Sequence, residues 1–162
     1  MLILGVDPGT ARTGYGFIET VGDNMSIVSC GCIITPKEET KSARLAILHT
    51  RLMELINEYK PDQAAIELLF FNKNTMTALT VGEARGVILL AFQFNRLSVF
   101  EYTPLQVKES LSGYGRASKK EVKEMVMAHL GLTKIKGPDD VADALAIAIC
   151  HSFYGSMGEI GL

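Results

Sequence analysis

Apolar residues in the N-terminal part of the chain follow the patterns of β-strands. Residues 1–7 form a continuous aliphatic run, which is typical of a central strand buried on both faces. Residues 14–20 and 26–35 read as two more strands, and the Gly-Asp-Asn sequence at 22–24 is typical of a hairpin turn between them. The pattern therefore predicts three consecutive strands at the start of the chain.

The pattern changes to helical spacing after the third predicted strand. Apolar residues recur every three or four positions over 41–60, and Pro61 ends this predicted helix. The further predicted elements are a strand "QAAIE", a helix over 75–94, a strand "SVFEY", a short helix from Pro104, a helix over 119–130 capped by Ser118, and a helix over 139–154. This order, βββαβαβααα, predicts an α/β fold with a mixed five-stranded sheet and helices on both faces.

Four carboxylates stand where the pattern predicts burial. Asp7 ends the first predicted strand and Glu67 ends the fourth. Asp140 and Asp143 lie at the start of the last helix and, being three residues apart, share one helix face. Because ligands collect outside strand ends in open α/β sheets, we expect these acids to meet at one edge of the sheet.

Each acid also has an ordinary structural interpretation. Asp139 and Asp140 in a first helical turn are favoured by the helix dipole and by capping. Asp7 could accept hydrogen bonds from the turn that follows it, and Glu67 could pair with a lysine. Asp143 is harder to explain, because apolar residues surround it. All these interpretations would have to hold together, which favours a shared functional site.

Four converging carboxylates need cations, because like charges raise one another's pKa values. A ligand set made only of oxygen favours Mg²⁺, with Mn²⁺ as a substitute. Two such ions about 4 Å apart stabilise both the attacking and the leaving oxygen of a phosphodiester displacement. We therefore expect a two-magnesium site that hydrolyses phosphodiester bonds.

The charge distribution is uneven although the net charge is only −2. Residues 72–123 hold four acidic residues and eight basic ones, namely Lys73, Arg85, Arg96, Lys108, Arg116, Lys119, Lys120 and Lys123. The remainder of the chain is therefore acidic. A basic middle and an acidic remainder suit a protein that binds a polyanion on one side and holds cations in an acidic pocket.

The cysteines and the hydropathy indicate the cellular context. Cys30 and Cys32, two residues apart on one predicted strand, are poorly placed to bridge each other, and we expect all three cysteines, Cys150 included, to be reduced core thiols. No signal-peptide pattern is present, and no apolar run reaches the roughly 18 residues of a membrane span. We expect a cytoplasmic protein with one domain over residues 1–154 and a flexible Gly-rich tail at 155–162.

Five motifs together resemble the RuvC family of bacterial crossover junction endodeoxyribonucleases: ILGVDPGTARTGYGF, AAIELLFFNKN, VGEARGVILLA, FEYTPLQVK and DDVADALAIAIC. The resemblance spans nearly the whole chain and implies a ribonuclease H-like fold. It implies a homodimer that resolves four-way (Holliday) junctions by symmetric paired nicks in recombination and DNA repair, leaving 5′-phosphate and 3′-hydroxyl ends. It places the catalytic, metal-binding acids at Asp7, Glu67, Asp140 and Asp143, since the family's Asp-x-x-Asp pattern selects Asp140 over Asp139.

The predicted DNA contacts are one aromatic and several basic residues. An aromatic beside a phosphate-cutting site is suited to stack on an unpaired base, and the resemblance implies that Phe70 does so, with Phe71 expected in the core. The resemblance favours Lys108 and Lys119 as phosphate contacts, and further candidates are Lys120 and Arg12. A solvated helix face is the alternative for the lysines.

Small residues recur every four positions on the predicted helix over 75–94, at Ala78, Gly82 and Gly86. They permit close packing either on the protein's own sheet or against a second copy, and the resemblance supports a two-fold dimer through this helix. Two sites related by a dyad suit symmetric cutting of two equivalent strands. The RuvA–RuvB branch-migration complex is a further partner implied by the resemblance.

Three rival functions differ from this interpretation in ways that the sequence tests. An ATP-binding protein of the actin and sugar-kinase type shares "VDPGTARTG" as a phosphate turn, but that class needs a second Asp-Gly motif, which these 162 residues lack. A ribonuclease-like relative acting on RNA generally lacks the Asp-x-x-Asp helix. A junction-binding module without catalysis would not need four aligned acids.

Overall fold

The structure is a computed structural model that describes residues 1–68 and 75–155. The elements in these residues follow the predicted order. They are β1 (Leu2–Asp7), β2 (Arg12–Val21), β3 (Asn24–Ile34), α1 (Lys41–Tyr59), β4 (Gln63–Glu67), α2 (Thr75–Phe94), β5 (Ser98–Tyr102), α3 (Pro104–Ser112), α4 (Lys119–His129) and α5 (Asp139–Gly155).

The largest boundary differences lie in the hairpin of β2 and β3. Both strands run closer to the turn than predicted, because Thr20 pairs with Met25 and Val21 with Asn24, so the ladder continues to the edge of the turn. Gly22 in the turn has a φ of +58°, in the left-handed region that glycine adopts easily. At the other end of the chain α5 includes Gly155, so the predicted tail begins one residue too early. The rest of that tail, residues 156–162, lies outside the described residues.

The five strands form one mixed sheet in the order β3-β2-β1-β4-β5. β1 is antiparallel to β2 and parallel to β4, and β4 is parallel to β5. One apolar cluster joins α3, α4 and α5 to one face of the sheet, and a second joins α1 and α2 to the other face. The predicted α/β architecture is therefore confirmed.

Helix α5 lies unusually close to the central strands because glycines face it. A Cβ atom on Gly5 of β1 would collide with the backbone oxygen of Ala144. A Cβ atom on Gly14 of β2 would collide with the backbone oxygen of Asp140. The bare backbone at these positions lets the first turns of α5 lie directly on the ends of β1 and β2.

The other end of α5 is fixed by a buried histidine. His151 is fully buried, and Tyr102 Oη lies 2.7 Å from its Nδ1 while Gln63 Oε1 lies 2.7 Å from its Nε2. Burial lowers the pKa of His151 to about 4, so the imidazole is neutral at physiological pH. The side chain thus joins α5 to β4 and β5 by hydrogen bonds rather than by charge.

The cysteines and the helix hydropathy can be compared with the sequence predictions. Cys30, Cys32 and Cys150 are free thiols, the last of them buried in the core. Among the described helices, none is both long enough and apolar enough to span a bilayer.

Candidate active site

The acidic cluster forms at the carboxyl ends of two neighbouring parallel strands. Asp7 is the last residue of β1 and pairs with Gly14 of β2. Glu67 is the last residue of β4, the parallel neighbour of β1 on its other side. The first turns of α5 cross this edge and bring Asp140 and Asp143 to it, as the close contact at Gly14 requires.

The pKa shifts show that the four acids act on one another. Burial, followed by the charges of Glu67, Asp143 and Asp140, raises the pKa of Asp7 to about 8, and Lys119 opposes the shift. Burial and Asp143 raise the pKa of Glu67 as well. The structure therefore brings together the four acids that the strand-end pattern selected, at an edge with more negative charge than it can keep ionised unaided.

Two basic side chains neutralise the acids on α5. Arg12 Nε lies 3.5 Å from Asp140 Oδ2, and Lys119 Nζ donates a hydrogen bond of 3.1 Å to Asp143 Oδ2. That hydrogen bond and the Asp143 charge raise the pKa of Lys119. Both cations were predicted to contact phosphate, and the structure places them against carboxylates of the acidic cluster.

As these side chains stand, no three His, Cys, Asp or Glu residues within 1–68 and 75–155 are arranged to hold a metal ion. The pairing with Arg12 and Lys119 gives the physical reason, since it holds Asp140 and Asp143 toward cations already present. The donor set itself, four carboxylates with no sulfur or imidazole, is the chemistry that Mg²⁺ and Mn²⁺ prefer. The four carboxylates therefore fit a divalent cation by their chemistry, while Arg12 and Lys119 occupy two of them in this arrangement.

Asp139 differs from the other four acids in its exposure and its partner. Its side chain is 71% exposed and lies 3.0 Å from Lys123 Nζ. The hydrogen bond from Lys123 lowers its pKa, the reverse of the shift at Asp7. Asp139 thus has a salt-bridge partner in solvent and lacks the burial that raises the pKa of Asp7.

The ordinary interpretations of Asp7 and Glu67 are not observed among the described residues. No described backbone donor binds the Asp7 carboxyl; the turn after it is closed by Thr13, whose Oγ1 donates to the Gly9 carbonyl at 2.6 Å. Glu67 forms no ion pair with any lysine in the described part of the chain. The charges of Lys119 and Lys108 only oppose the rise in its pKa. Asp7 and Glu67 are therefore half-buried acids that lack a direct cationic partner among the described residues.

The lysines near the cluster differ in their surroundings. Lys108 on α3 is half-buried on the Glu67 side. Lys120 is 86% exposed and 3.9 Å from Glu124, which is the solvated helix face of the alternative interpretation. A groove of about 320 Å³ is lined by Lys119, Lys120, Lys123, Asp139, Ala142 and Asp143. Lys123 was not selected from the sequence; its spacing of four residues from Lys119 on α4 is the signal for it.

Two other sequence predictions have different outcomes. Phe70 and Phe71 lie outside the described residues. On α2, Ala78 and Gly82 are half-buried while Gly86 is exposed, and a Cβ atom on Gly86 would have no described atom within 4 Å. At Gly86 the small-residue stripe therefore does not pack on the protein's own sheet.

Comparison with known proteins identifies the family. A profile described as crossover junction endodeoxyribonuclease RuvC matches residues 3–151. The chain belongs to the RuvC family. The RuvC of Pelotomaculum thermopropionicum is 54% identical over 95% of this chain and 94% of its own length, and that of Halothermothrix orenii is 56% identical over 93% and 92%.

Solved structures agree with this membership. The RuvC of T. thermophilus in complex with Holliday junction substrate is 35% identical, with a TM-score of 0.92 over 98% of this chain and 96% of that chain. The yeast mitochondrial Holliday junction resolvase Ydc2, at 17% identity and a TM-score of 0.65, shares the fold. The predicted family and fold are confirmed, and this RuvC chain is a nuclease of the hydrolase class.

Proposed function

We propose that this chain cuts four-way DNA junctions as a homodimer, making paired symmetric nicks that leave 5′-phosphate and 3′-hydroxyl ends. The observation that carries the proposal is the convergence of Asp7, Glu67, Asp140 and Asp143 at one edge of the sheet, where burial and mutual repulsion raise the pKa of Asp7 to about 8. The junction-bound T. thermophilus relative supports this substrate. The role is in recombination and repair, in the bacterial cytoplasm.

The four carboxylates fit a pair of Mg²⁺ ions, with Mn²⁺ as a substitute. Two ions held there would supply Lewis-acid chemistry to an attacking water and to the leaving 3′ oxygen. Asp7 and Glu67 supply the ligands from the sheet, and Asp140 and Asp143 supply those from α5. The half-burial of Asp7 and Glu67 strengthens each charge interaction at the site.

Basic residues around the cluster position the DNA strand. Arg12 and Lys119, which pair with Asp140 and Asp143, exchange these carboxylates for phosphate oxygens when metal and DNA occupy the site. Lys108 lies on the Glu67 side and contacts a neighbouring phosphate. Lys120 is the weakest of the predicted contacts, since Glu124 lies beside it.

The two copies of the dimer meet through α2, and its exposed side chains support this arrangement. Leu79 is 56% exposed and Leu90 is 50% exposed, on the same helix as the exposed Gly86. Apolar surface of this kind is suited to burial against a second copy. A two-fold axis through α2 gives the two active sites the symmetry of a four-way junction. RuvA–RuvB is a further partner in this proposal.

The deciding experiment compares a synthetic four-way junction with a linear duplex of the same sequence, each incubated with the protein in Mg²⁺ and in EDTA. We expect paired nicks at symmetric positions in the junction, only with Mg²⁺, and an intact duplex. Junction binding without cutting in Mg²⁺ or Mn²⁺ would show that the protein is a binding module and not a nuclease. Equal cutting of both substrates would show that it has no specificity for the four-way junction.

Phe70→Ala tests the proposed base stacking. We expect junction cleavage to fall by one to two orders of magnitude, because a base–aromatic stack contributes about 1–3 kcal/mol, while the melting temperature changes little. Val28→Ala, which truncates an apolar side chain that is 45% exposed on β3 and lies outside α2, is the control and should cut normally. A Phe70 variant with full activity would make that ring a bystander.

A further inference from the structure

The turn between β1 and β2 connects two residues of the acidic site. Residues 8–11, here named the catalytic turn, follow Asp7 and precede Arg12, which pairs with Asp140. A movement of this turn therefore displaces a carboxylate and its neighbouring cation together. Although it is a surface connection, Thr10 within it is only 7% exposed.

Thr10 joins the catalytic turn to helix α2. Its Oγ1 donates a hydrogen bond of 2.9 Å to the backbone carbonyl of Thr80, 70 residues further along the chain. Buried hydroxyl groups need such a partner, because an unpaired one loses its hydration without compensation. This hydrogen bond connects the catalytic turn directly to α2.

The same turn is held from its other side by α1. Thr35 is 4% exposed, and its Oγ1 donates to the Thr10 carbonyl at 2.6 Å. Arg44 Nε on α1 in turn donates to Thr35 Oγ1 at 2.8 Å, and the Thr35 amide donates to the Ala11 carbonyl at 3.2 Å. Thr10 thus stands in a hydrogen-bonded chain that runs from α1 through the turn to α2.

This chain of bonds is anchored away from the acidic site at both ends. Neither Thr10 nor Thr35 forms a described hydrogen bond to any of the four acids, so the chain contributes no ligand and no proton. What it can set is the position of the turn. A shift of about 1 Å in a positioning element is enough to lower a catalytic rate by two orders of magnitude.

We propose that Thr10 is a positioning residue for cleavage: its hydroxyl fixes the catalytic turn to α2 and so sets where Asp7 and Arg12 stand relative to α5. The inference rests on the proposed nuclease function. It adds a dependence of the site on α2, the helix that lies on the opposite face of the sheet from α5. Metal binding and turnover should then respond to the loss of a hydroxyl that touches neither metal nor DNA.

The test uses Thr10→Val, which removes the hydroxyl, and Thr10→Ser, which keeps it. We expect Thr10→Val to lower kcat for junction cleavage on the order of tenfold or more, with KM unchanged, and Thr10→Ser to restore it. Mn²⁺ alone is then titrated while the melting temperature is followed. The Mn²⁺ concentration giving half of the stabilisation should rise severalfold in Thr10→Val and stay at the wild-type value in Thr10→Ser.

Thr20→Val is the matched control, because it removes a threonine hydroxyl whose bond to the Met1 carbonyl lies at the far end of β2. If Thr10→Val lowers the melting temperature but leaves kcat and the Mn²⁺ midpoint at wild-type values, Thr10 is structural only. Should Thr10→Val not fold, Thr35→Val decides, since it cuts the same chain one bond away. A wild-type protein that binds Mn²⁺ but cuts no junction would overturn the proposed function instead, with the Mn²⁺ midpoint still reporting on the turn.

Discussion

Asp7→Asn abolishes junction cleavage, with an expected loss on the order of a thousandfold or more. Asp7 lies at the centre of the acidic cluster, and its pKa responds to all three of the other acids. An amide keeps the shape of the side chain but supplies no negative charge to a divalent cation. The variant should still fold and still bind the junction, because the groove lysines are untouched.

The same substitution should stabilise the metal-free protein, increasingly so as the pH rises. The pKa of Asp7 is about 8 in the folded protein and 3.8 in the unfolded reference. Between these values the folded state binds the extra proton, so the contribution of Asp7 to stability is present below pH 3.8 and is lost as the pH rises toward 8. Melting temperatures of wild type and Asp7→Asn in EDTA should therefore be closest near pH 4 and furthest apart near pH 8.

Asp139→Asn is the matched control for both measurements. Asp139 sits on the same helix end as Asp140, but it is exposed and paired with Lys123. We expect it to retain cutting and, above pH 5, to give a stability curve that runs parallel to that of the wild type and slightly below it, because only the exposed pair with Lys123 is lost. Cleavage by Asp7→Asn at a rate near that of wild type would exclude Asp7 from the metal site, whatever the stability data show.

Gly14→Ala is expected to damage both the fold and the activity, although it adds one methyl group. Its Cβ atom would collide with the backbone oxygen of Asp140. Because that oxygen belongs to the helix backbone, no side-chain rotation can relieve the collision. The first turn of α5 must therefore shift away from β2, at a cost of about 1–3 kcal/mol typical of overpacking. Asp140 moves with that turn, so cleavage should fall by at least an order of magnitude, since each 1.4 kcal/mol at the site is about tenfold in rate.

Val21→Ala on the same strand is the comparison, because Val21 is 67% exposed and lies at the opposite end of β2 from Gly14. It should cost little stability and no activity. Alanine also has a higher strand propensity than glycine, so a loss at Gly14 comes from the collision and not from the strand. A Gly14→Ala protein with wild-type stability and cleavage would show that α5 tolerates a shift at this point.

Part of the acidic cluster could be predicted because it follows from local patterns. Asp7 and Glu67 mark strand ends that the parallel order of β1 and β4 brings together, and Asp140 and Asp143 are spaced on one face of α5. The partners of these acids were not predictable in this way. Whether Arg12 approaches a phosphate or Asp140 depends on its rotamer and on what occupies the site, which no spacing encodes.

The contacts that hold the backbone around the acidic cluster were even harder to predict from the sequence. The Thr10–Thr80 bond joins residues 70 positions apart, and threonine in a turn is ordinarily solvated. Burial of Thr10 arises only when α1 and α2 cover that face of the sheet. The glycines that admit α5 were visible as a pattern along β1 and β2, but which helix uses the space is decided by the tertiary packing.

The backbone contact of α5 with β1 and β2 also limits how the site can adapt. A helix that packs on side chains can shift as those side chains change rotamer. A helix that packs directly on glycine backbone cannot shift in this way. The backbone around the acidic cluster is therefore fixed, while the side chains of Arg12 and Lys119 can change rotamer. In the proposed metal-bound state, the change from these ion pairs to cation-binding carboxylates would depend on rotation of the Arg12 and Lys119 side chains rather than on motion of α5.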